Sequence, residues 1–142
     1  RRKKLRNSKL TVEEKLTQRF AMLTIWIALS GKINGNLIDL PVGRNGSEDE
    51  CDWEGVECHN GGEVKALDFA RRGLSGYIPN AIGHLSSLQY VDLASNNIEG
   101  SLPSALYTLE KLSHLYLDSN KITGTLSESI ADLDDLEYLY LC

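Results

Sequence analysis

The sequence predicts an α/β solenoid closed at its N-terminal end by a helical cap, and three observations carry that prediction. A leucine pattern repeats in the second half, a helix with a capping signal opens the chain, and a short segment with two cysteines stands between them. Over residues 88–117, which read LQYVDLASNNIEGSLPSALYTLEKLSHLYL, the pattern L-x-x-[LV]-x-L-x-x-N-x-I-x-G-x-L occurs once in full and begins again. Leu88, Val91, Leu93, Asn96, Ile98, Gly100 and Leu102 are answered 24 residues later by Leu112, Leu115, Leu117, Asn120, Ile122, Gly124 and Leu126. A fixed period of this length marks stacked units, because one unit alone cannot bury its apolar face. Backward, Val64, Leu67, Phe69, Leu74, Gly76 and Ile78 hold the same places; forward, Leu136, Leu139 and Leu141 start a fourth unit. The repeats are therefore expected over residues 63–142, about three and a third of them, and the cap over 11–62.

Length and charge bound the function. The chain has 142 residues and 42% apolar composition, enough for one ordinary domain. Residues 1–19 carry eight Lys/Arg against two Glu, while the remainder carries seven Lys/Arg against eighteen Asp/Glu. An acidic body repels phosphates, so nucleic acid is not an expected partner. The most apolar run, Phe20 to Leu29, is ten residues, and a membrane span needs ~20. The chain opens on Arg1 and stops at Cys142 inside a repeat, and it is read as a piece of a longer product. Three cysteines suggest one disulfide and one leftover thiol.

The elements follow in order. Residues 1–10 form a basic arm, expected to be solvated and disordered. The alternative is attraction of residues 1–9 to an anionic membrane surface, at about 1 kcal/mol per basic residue. Residues 11–30 read as a helix: Thr11 is a good N-cap, Glu14 completes a capping box, and Gly31 is a stop. Val12, Leu16, Phe20, Leu23 and Ile27 recur at helical spacing and are expected to be its buried face. A signal peptide is the rival, with a basic start, an apolar stretch and small residues at Ala28 and Ser30; Glu13 and Glu14 count against it. Residues 31–50 are rich in Gly and Asn and predict an irregular loop, which holds a glycosylation sequon at Asn45. The acidic run 48–57 does not match the ligand offsets of an EF-hand loop, so a solvated patch is expected there rather than a calcium site.

Cys51-Asp52-Trp53-Glu54-Gly55-Val56-Glu57-Cys58 spells C-x-W-x-G-V-x-C. This segment resembles the N-terminal cap of plant-type extracellular leucine-rich-repeat proteins, the group of receptor-like kinases, receptor-like proteins and secreted inhibitors. Gln18-Arg19-Phe20-Ala21 is similar to the start of their cap helix. The resemblance covers roughly residues 12–142. It implies a right-handed leucine-rich-repeat solenoid with parallel strands on the concave face. It also implies a Cys51–Cys58 disulfide, an oxidising compartment (extracellular or secretory-pathway lumen), and membrane anchoring as an open question for the full-length parent. The C-x6-C spacing, with only His59 nearby, fits neither a C-x-x-C redox pair nor a four-ligand zinc site. Asn96 and Asn120 fall on the family's asparagine ladder, and Arg72 departs from it. Gly76, Gly100 and Gly124 belong to the plant-type G-x-[IL]-P element, completed by Pro79 and Pro103 but not by Ser127, a departure expected to weaken the third turn. Ile82, Leu85, Leu106, Leu109, Ile130 and Leu133 are expected on the returning outer side.

Strand alternation leaves a grid of outward positions. Its rows are Ala66, Tyr90, His114 and Tyr138; Asp68, Asp92, Tyr116 and Tyr140; and Ala70, Ala94, Asp118 and Cys142. Tyrosine combines a large apolar face with a polar tip and suits an interface, although exposed tyrosines also stack across strands and stabilise a sheet without any partner. Asp68 and Asp92 oppose each other, so either Arg71 or a partner's Lys/Arg is expected to relieve them. His114 and Cys142 fall four residues apart along neighbouring strands, about 13 Å, outside catalytic reach. The expected function is protein or peptide recognition through Asp68, Arg71, Tyr90, Asp92, His114, Tyr116, Asp118, Tyr138 and Tyr140, without cofactor, metal or catalysis. Two alternatives stand beside it: an assembly part docking further repeats or a partner chain at the end that exposes Leu136, Leu139 and Leu141, and a membrane-surface tether through the arm and cap helix.

Overall fold

The computed structural model describes residues 9–30 and 46–142, so most of the basic arm, most of the Gly-rich loop and Asn45 lie outside the described residues. Helix α1 spans Val12–Ser30. Its start follows from the capping box: the Thr11 hydroxyl accepts from the Glu14 N–H at 3.2 Å, and the Glu14 carboxylate accepts from the Thr11 N–H at 2.7 Å. Two backbone groups at the helix entrance are satisfied in this way.

The rotation of α1 differs from the expectation. Val12, Leu16, Phe20 and Ile27 are 58–76% exposed, whereas Gln18, Ala21, Met22, Ile25 and Leu29 are buried. Two stripes recur at helical spacing, because the second half is apolar on nearly every side. A polar side chain decides between them. Gln18 Nε2 donates to Glu50 Oε1 at 3.0 Å and to the Gly62 carbonyl at 2.9 Å, and its Oε1 accepts from the Val64 N–H at 2.8 Å. Exposing Gln18 instead would break all three bonds, and each group left buried without a partner costs about 1–3 kcal/mol.

Between helix and repeats, a 3-10 turn at Glu50–Asp52 begins where the Asp49 carboxylate accepts from the Cys51 N–H at 2.9 Å. Cys51 is bonded to Cys58. A bridge closing so short a loop contributes about 2–3 kcal/mol by restricting the unfolded chain. Trp53 and Val56 are buried against the core, as expected of a cover. Strand β1 (Val56–Cys58) pairs antiparallel with β2 (Val64–Asp68). The parallel pairing expected of the repeats does not extend to this cap strand, itself unanticipated, for a simple reason. A parallel neighbour requires a crossover of a dozen residues or more, and residues 59–63 supply only a hairpin, closed from the His59 N–H to the Glu63 carbonyl at 2.8 Å.

The remaining strands of the first sheet, β4 (Tyr90–Asp92), β6 (His114–Tyr116) and β8 (Tyr138–Tyr140), run parallel to β2 in the order β1-β2-β4-β6-β8. A second parallel sheet joins β3 (Ser75–Gly76), β5 (Asn97–Gly100) and β7 (Lys121–Ile122). Short 3-10 turns at Asn80–His84, Ser104–Thr108 and Glu128–Asp132 form the returning side. The core lies between, with Leu88, Val91, Leu106, Leu109, Leu112, Leu115 and Leu117 fully buried. Helix α1 closes the core from the cap side, where the Ala28 carbonyl lies so close to Gly76 that any Cβ there would collide with it.

The ladder explains its own exception. Asn96 Oδ1 accepts from the Arg72 and Leu74 N–H groups, both at 3.0 Å, and its Nδ2 donates to the Phe69 and Leu93 carbonyls at 2.9 Å. Asn120 does the same for Ile98, Leu93 and Leu117. Each amide thus serves the turn of the repeat before it as well as its own. Arg72 stands first and has no earlier repeat to serve. It turns to the cap instead, with its guanidinium 3.6 Å from the Glu54 carboxylate and over the Phe69 ring. Just before each ladder position the chain takes a left-handed turn, at Arg71, Ser95 and Ser119, with φ of 57°, 56° and 57°. Ser127 also proves compensated: its N–H, absent from the Pro at matching places, donates to the Tyr107 hydroxyl at 3.3 Å, and its Oγ accepts from the Ser129 N–H.

Candidate functional site

The outward side chains of β2, β4, β6 and β8 meet in the rows that the period implies. Ala66 aligns with Tyr90, Tyr90 with His114, and His114 with Tyr138; Asp68 aligns with Asp92, Asp92 with Tyr116, and Tyr116 with Tyr140. Parallel neighbours in register sit about 4.8 Å apart, close enough for rings to touch. His114 stacks on Tyr138 with centroids 4.6 Å apart, and Tyr116 on Tyr140 at 5.2 Å. Tyr90 lies 5.5 Å from His114 and 5.7 Å from Tyr116. The result is one continuous aromatic field whose outer members remain open, with Tyr138 45% and Tyr140 52% exposed.

The cap side of this face is acidic. Asp68 is exposed and Asp92 half-buried. Asp92 accepts from the Ala94 N–H at 2.9 Å and from the Tyr90 hydroxyl at 3.4 Å. Burial, then the charges of Asp92 and Asp68, push the Tyr90 phenol above its ordinary pKa, since an anion there would be both desolvated and repelled. Desolvation, then Tyr140, Tyr138 and Asp92, push the Tyr116 phenol up as well. Arg71 is not ion-paired with the aspartates. It belongs to the left-handed turn beyond the strand, and among the described residues the ion pairs are Arg19–Glu50, Lys65–Glu57 and Arg72–Glu54. Asp118, in the third row, is half-buried.

Several residues at this site were not anticipated. Glu57 projects from β1 opposite Ala66, extending the first row into the cap. Lys65, Gln89 and Ser113 form a row of their own, chained by the Gln89 N–H to the Lys65 carbonyl and the Ser113 N–H to the Gln89 carbonyl, both at 2.8 Å. The same period of 24 places them and was the signal available in sequence. With Asp68, Tyr90 and His114 they line an open cleft of about 530 Å³. Ser113 Oγ lies 2.8 Å from His114 Nδ1, yet this is no nucleophile and base. The hydroxyl donates its only proton to the Gln89 carbonyl at 2.9 Å, so it accepts from Nδ1–H. Among the described residues no His, Cys, Asp and Glu cluster could hold a metal ion, and no helix is long and apolar enough to cross a membrane. Cys142 is an exposed free thiol.

The family model described as Leucine rich repeat matches residues 86–142. The chain is 41% identical over 76 residues to the leucine-rich repeat receptor-like protein kinase TDR of Arabidopsis thaliana, covering 51% of this chain and 7% of that protein. In structure it is similar to the ectodomain in the PEPR1–AtPEP1 crystal structure, with a TM-score of 0.73 and 29% identity, over 88% of this chain and 18% of that one. It is also similar to the Arabidopsis receptor kinase HAESA in complex with the peptide hormone IDA and the co-receptor SERK1, with a TM-score of 0.63 and 26% identity, over 92% of this chain and 21% of that one. Residues 86–142 thus match the leucine-rich-repeat family, and the chain as a whole is similar to plant leucine-rich-repeat receptor proteins. It spans 4–7% of the length of the curated relatives it matches, and their kinase activity is not carried over to it.

Proposed function

We propose that this chain is the N-terminal part of a ligand-recognition module in a cell-surface or secreted protein, and that it binds a peptide or protein surface on the concave face. The observation that carries the reading is the open aromatic field of Tyr90, His114, Tyr116, Tyr138 and Tyr140 on adjacent strands. Stacking alone would stabilise the sheet, but it does not require the outer rings to stay half exposed on the side free of core. Large rigid side chains on a scaffold supply contact area at little entropic cost. The HAESA complex supports the reading by analogy, since that receptor holds a peptide hormone. The Cys51–Cys58 bond suits an oxidising compartment.

The test uses peptides selected from a random display library against the 142-residue chain. Their affinity should fall at least about tenfold for a Tyr116→Ala/Tyr140→Ala variant. Selected peptides that bind this variant as tightly as the parent chain sink the proposal.

A further inference from the structure

We propose that the concave face takes an extended segment carrying an arginine across the Asp68 and Asp92 carboxylates, with an apolar or aromatic residue three positions away on Tyr116 and Tyr140. This rests on the peptide-recognition reading above and names the chemistry of the partner.

The first argument is charge. Asp68 and Asp92 are register partners on adjacent strands, and like charges so placed destabilise a sheet. Among the described residues neither carboxylate is held in an ion pair: Lys65, Arg72 and Arg19 are each paired with a glutamate of the cap. Few protein groups hold them in place: Asp68 accepts a long contact from the Ala70 N–H at 3.4 Å, and Asp92 a long one from Tyr90 beside its bond from Ala94, so both keep acceptor sites open to a partner. Residues 46–142 carry five Lys/Arg against seventeen Asp/Glu, so the partner is attracted, not merely tolerated.

The second argument is shape. The open cleft at this edge is lined by Asp68 and Tyr90, with Lys65 held by Glu57, and has room for a long side chain beside Asp92, which is not part of its lining. A guanidinium is planar, can bridge two carboxylates with separate N–H donors, and lies well against an aromatic face such as the Tyr90–Tyr116 pair. A lysine ammonium meets the charge but not the geometry.

The third argument is spacing. The midpoint of Asp68 and Asp92 lies between β2 and β4, and that of Tyr116 and Tyr140 between β6 and β8. Two strand spacings separate them, roughly 9.6 Å. A polyproline-type segment rises ~3.1 Å per residue with three residues per turn, so residues i and i+3 share a face about 9.3 Å apart. The acidic and aromatic halves are thus one such turn apart.

The test measures binding of three nonapeptide pools to the full chain by fluorescence anisotropy. One fixes Arg and Phe three positions apart, one replaces the Arg by citrulline, and one places Arg and Phe side by side; other positions are randomised without Lys or Arg. The first pool should bind at least about tenfold more tightly than the other two. An Asp68→Asn/Asp92→Asn variant should erase the preference for Arg over citrulline, and its free form should melt at a higher temperature because the repulsion is gone. An Arg pool no tighter than the citrulline pool on the parent chain overturns the arginine inference, and so does the absence of measurable binding by any pool. If Tyr116→Ala/Tyr140→Ala still weakens all three pools in the first case, the wider recognition reading survives it. If neither the Tyr nor the Asp variant changes binding, both readings fall together.

Discussion

The repeats and the cap hold themselves together by different means. In the repeats, one arrangement recurs every 24 residues: strand leucines inward, an asparagine amide at the turn, a 3-10 return. Each unit contacts its neighbours and little else, so stability is spread over similar interfaces. In the cap no contact recurs. Gln18 reaches partners 32, 44 and 46 residues away, and a single disulfide ties the loop. Losing one cap contact should therefore have a local and complete effect, whereas losing a ladder contact should propagate across two repeats.

The largest expected effect lies in the ladder. Asn96→Ala should cost about 3 kcal/mol, because it unpairs buried groups in two turns at once. Asn120→Ala, with fewer bonds to lose, should cost about 2 kcal/mol. Urea midpoints at unchanged slope measure both, and an order reversed between them would break the picture of each amide serving the preceding repeat. Next comes Gln18→Ala, expected to cost about 2 kcal/mol by leaving Glu50 and the Val64 N–H short of partners. Hydrogen exchange should quicken in α1 and β1 while β6 and β8 keep their protection; uniform loosening would erase the distinction between cap and body. The smallest effect is the helix entrance. The bonds from Thr11 hold the Glu14 carboxyl below its ordinary pKa. A depressed folded-state pKa contributes stability above the unfolded value and loses it as pH falls through the folded one. Fraying of the first turn of α1 should thus set in as pH falls below the ordinary glutamate range, read by amide exchange, and Glu14→Gln should flatten that dependence.

Legibility follows the same division. In the inner repeats the period places residues correctly: Leu88, Leu112 and Leu115 are buried, and Tyr90, His114 and Tyr138 align in one row, whereas Leu126 at the far end is exposed. The rotation of α1 was not legible, because Val12, Leu16, Phe20 and Ile27 satisfy helical spacing as well as Met22, Ile25 and Leu29 do. Only the partners of Gln18 separate the two stripes, and those come from far along the chain. The antiparallel β1 was hidden in a segment read for its cysteines, although Val56-Glu57-Cys58 alternates like a strand and a Gly-Gly turn follows. Arg71 shows the limit of arguing from sequence proximity: three residues from Asp68, it sits in a left-handed turn and makes no ion pair with it. For the candidate site, the alignment of rows was legible, while the cleft depends on how cap and repeats meet.

Because β1 runs against the other strands, the architecture can lengthen in one direction only. A duplicated unit placed after β4 meets a parallel edge on both sides and regenerates the ladder bonds when the copied repeat carries Asn96 or Asn120. The same unit placed before β2 would face a strand of opposite direction, with Arg72 where it needs an amide. Genetic copying can therefore extend the concave face toward β8 in whole units while the cap stays single. The aspartates at Asp68 and Asp92 would keep their place beside the cap however long that face became.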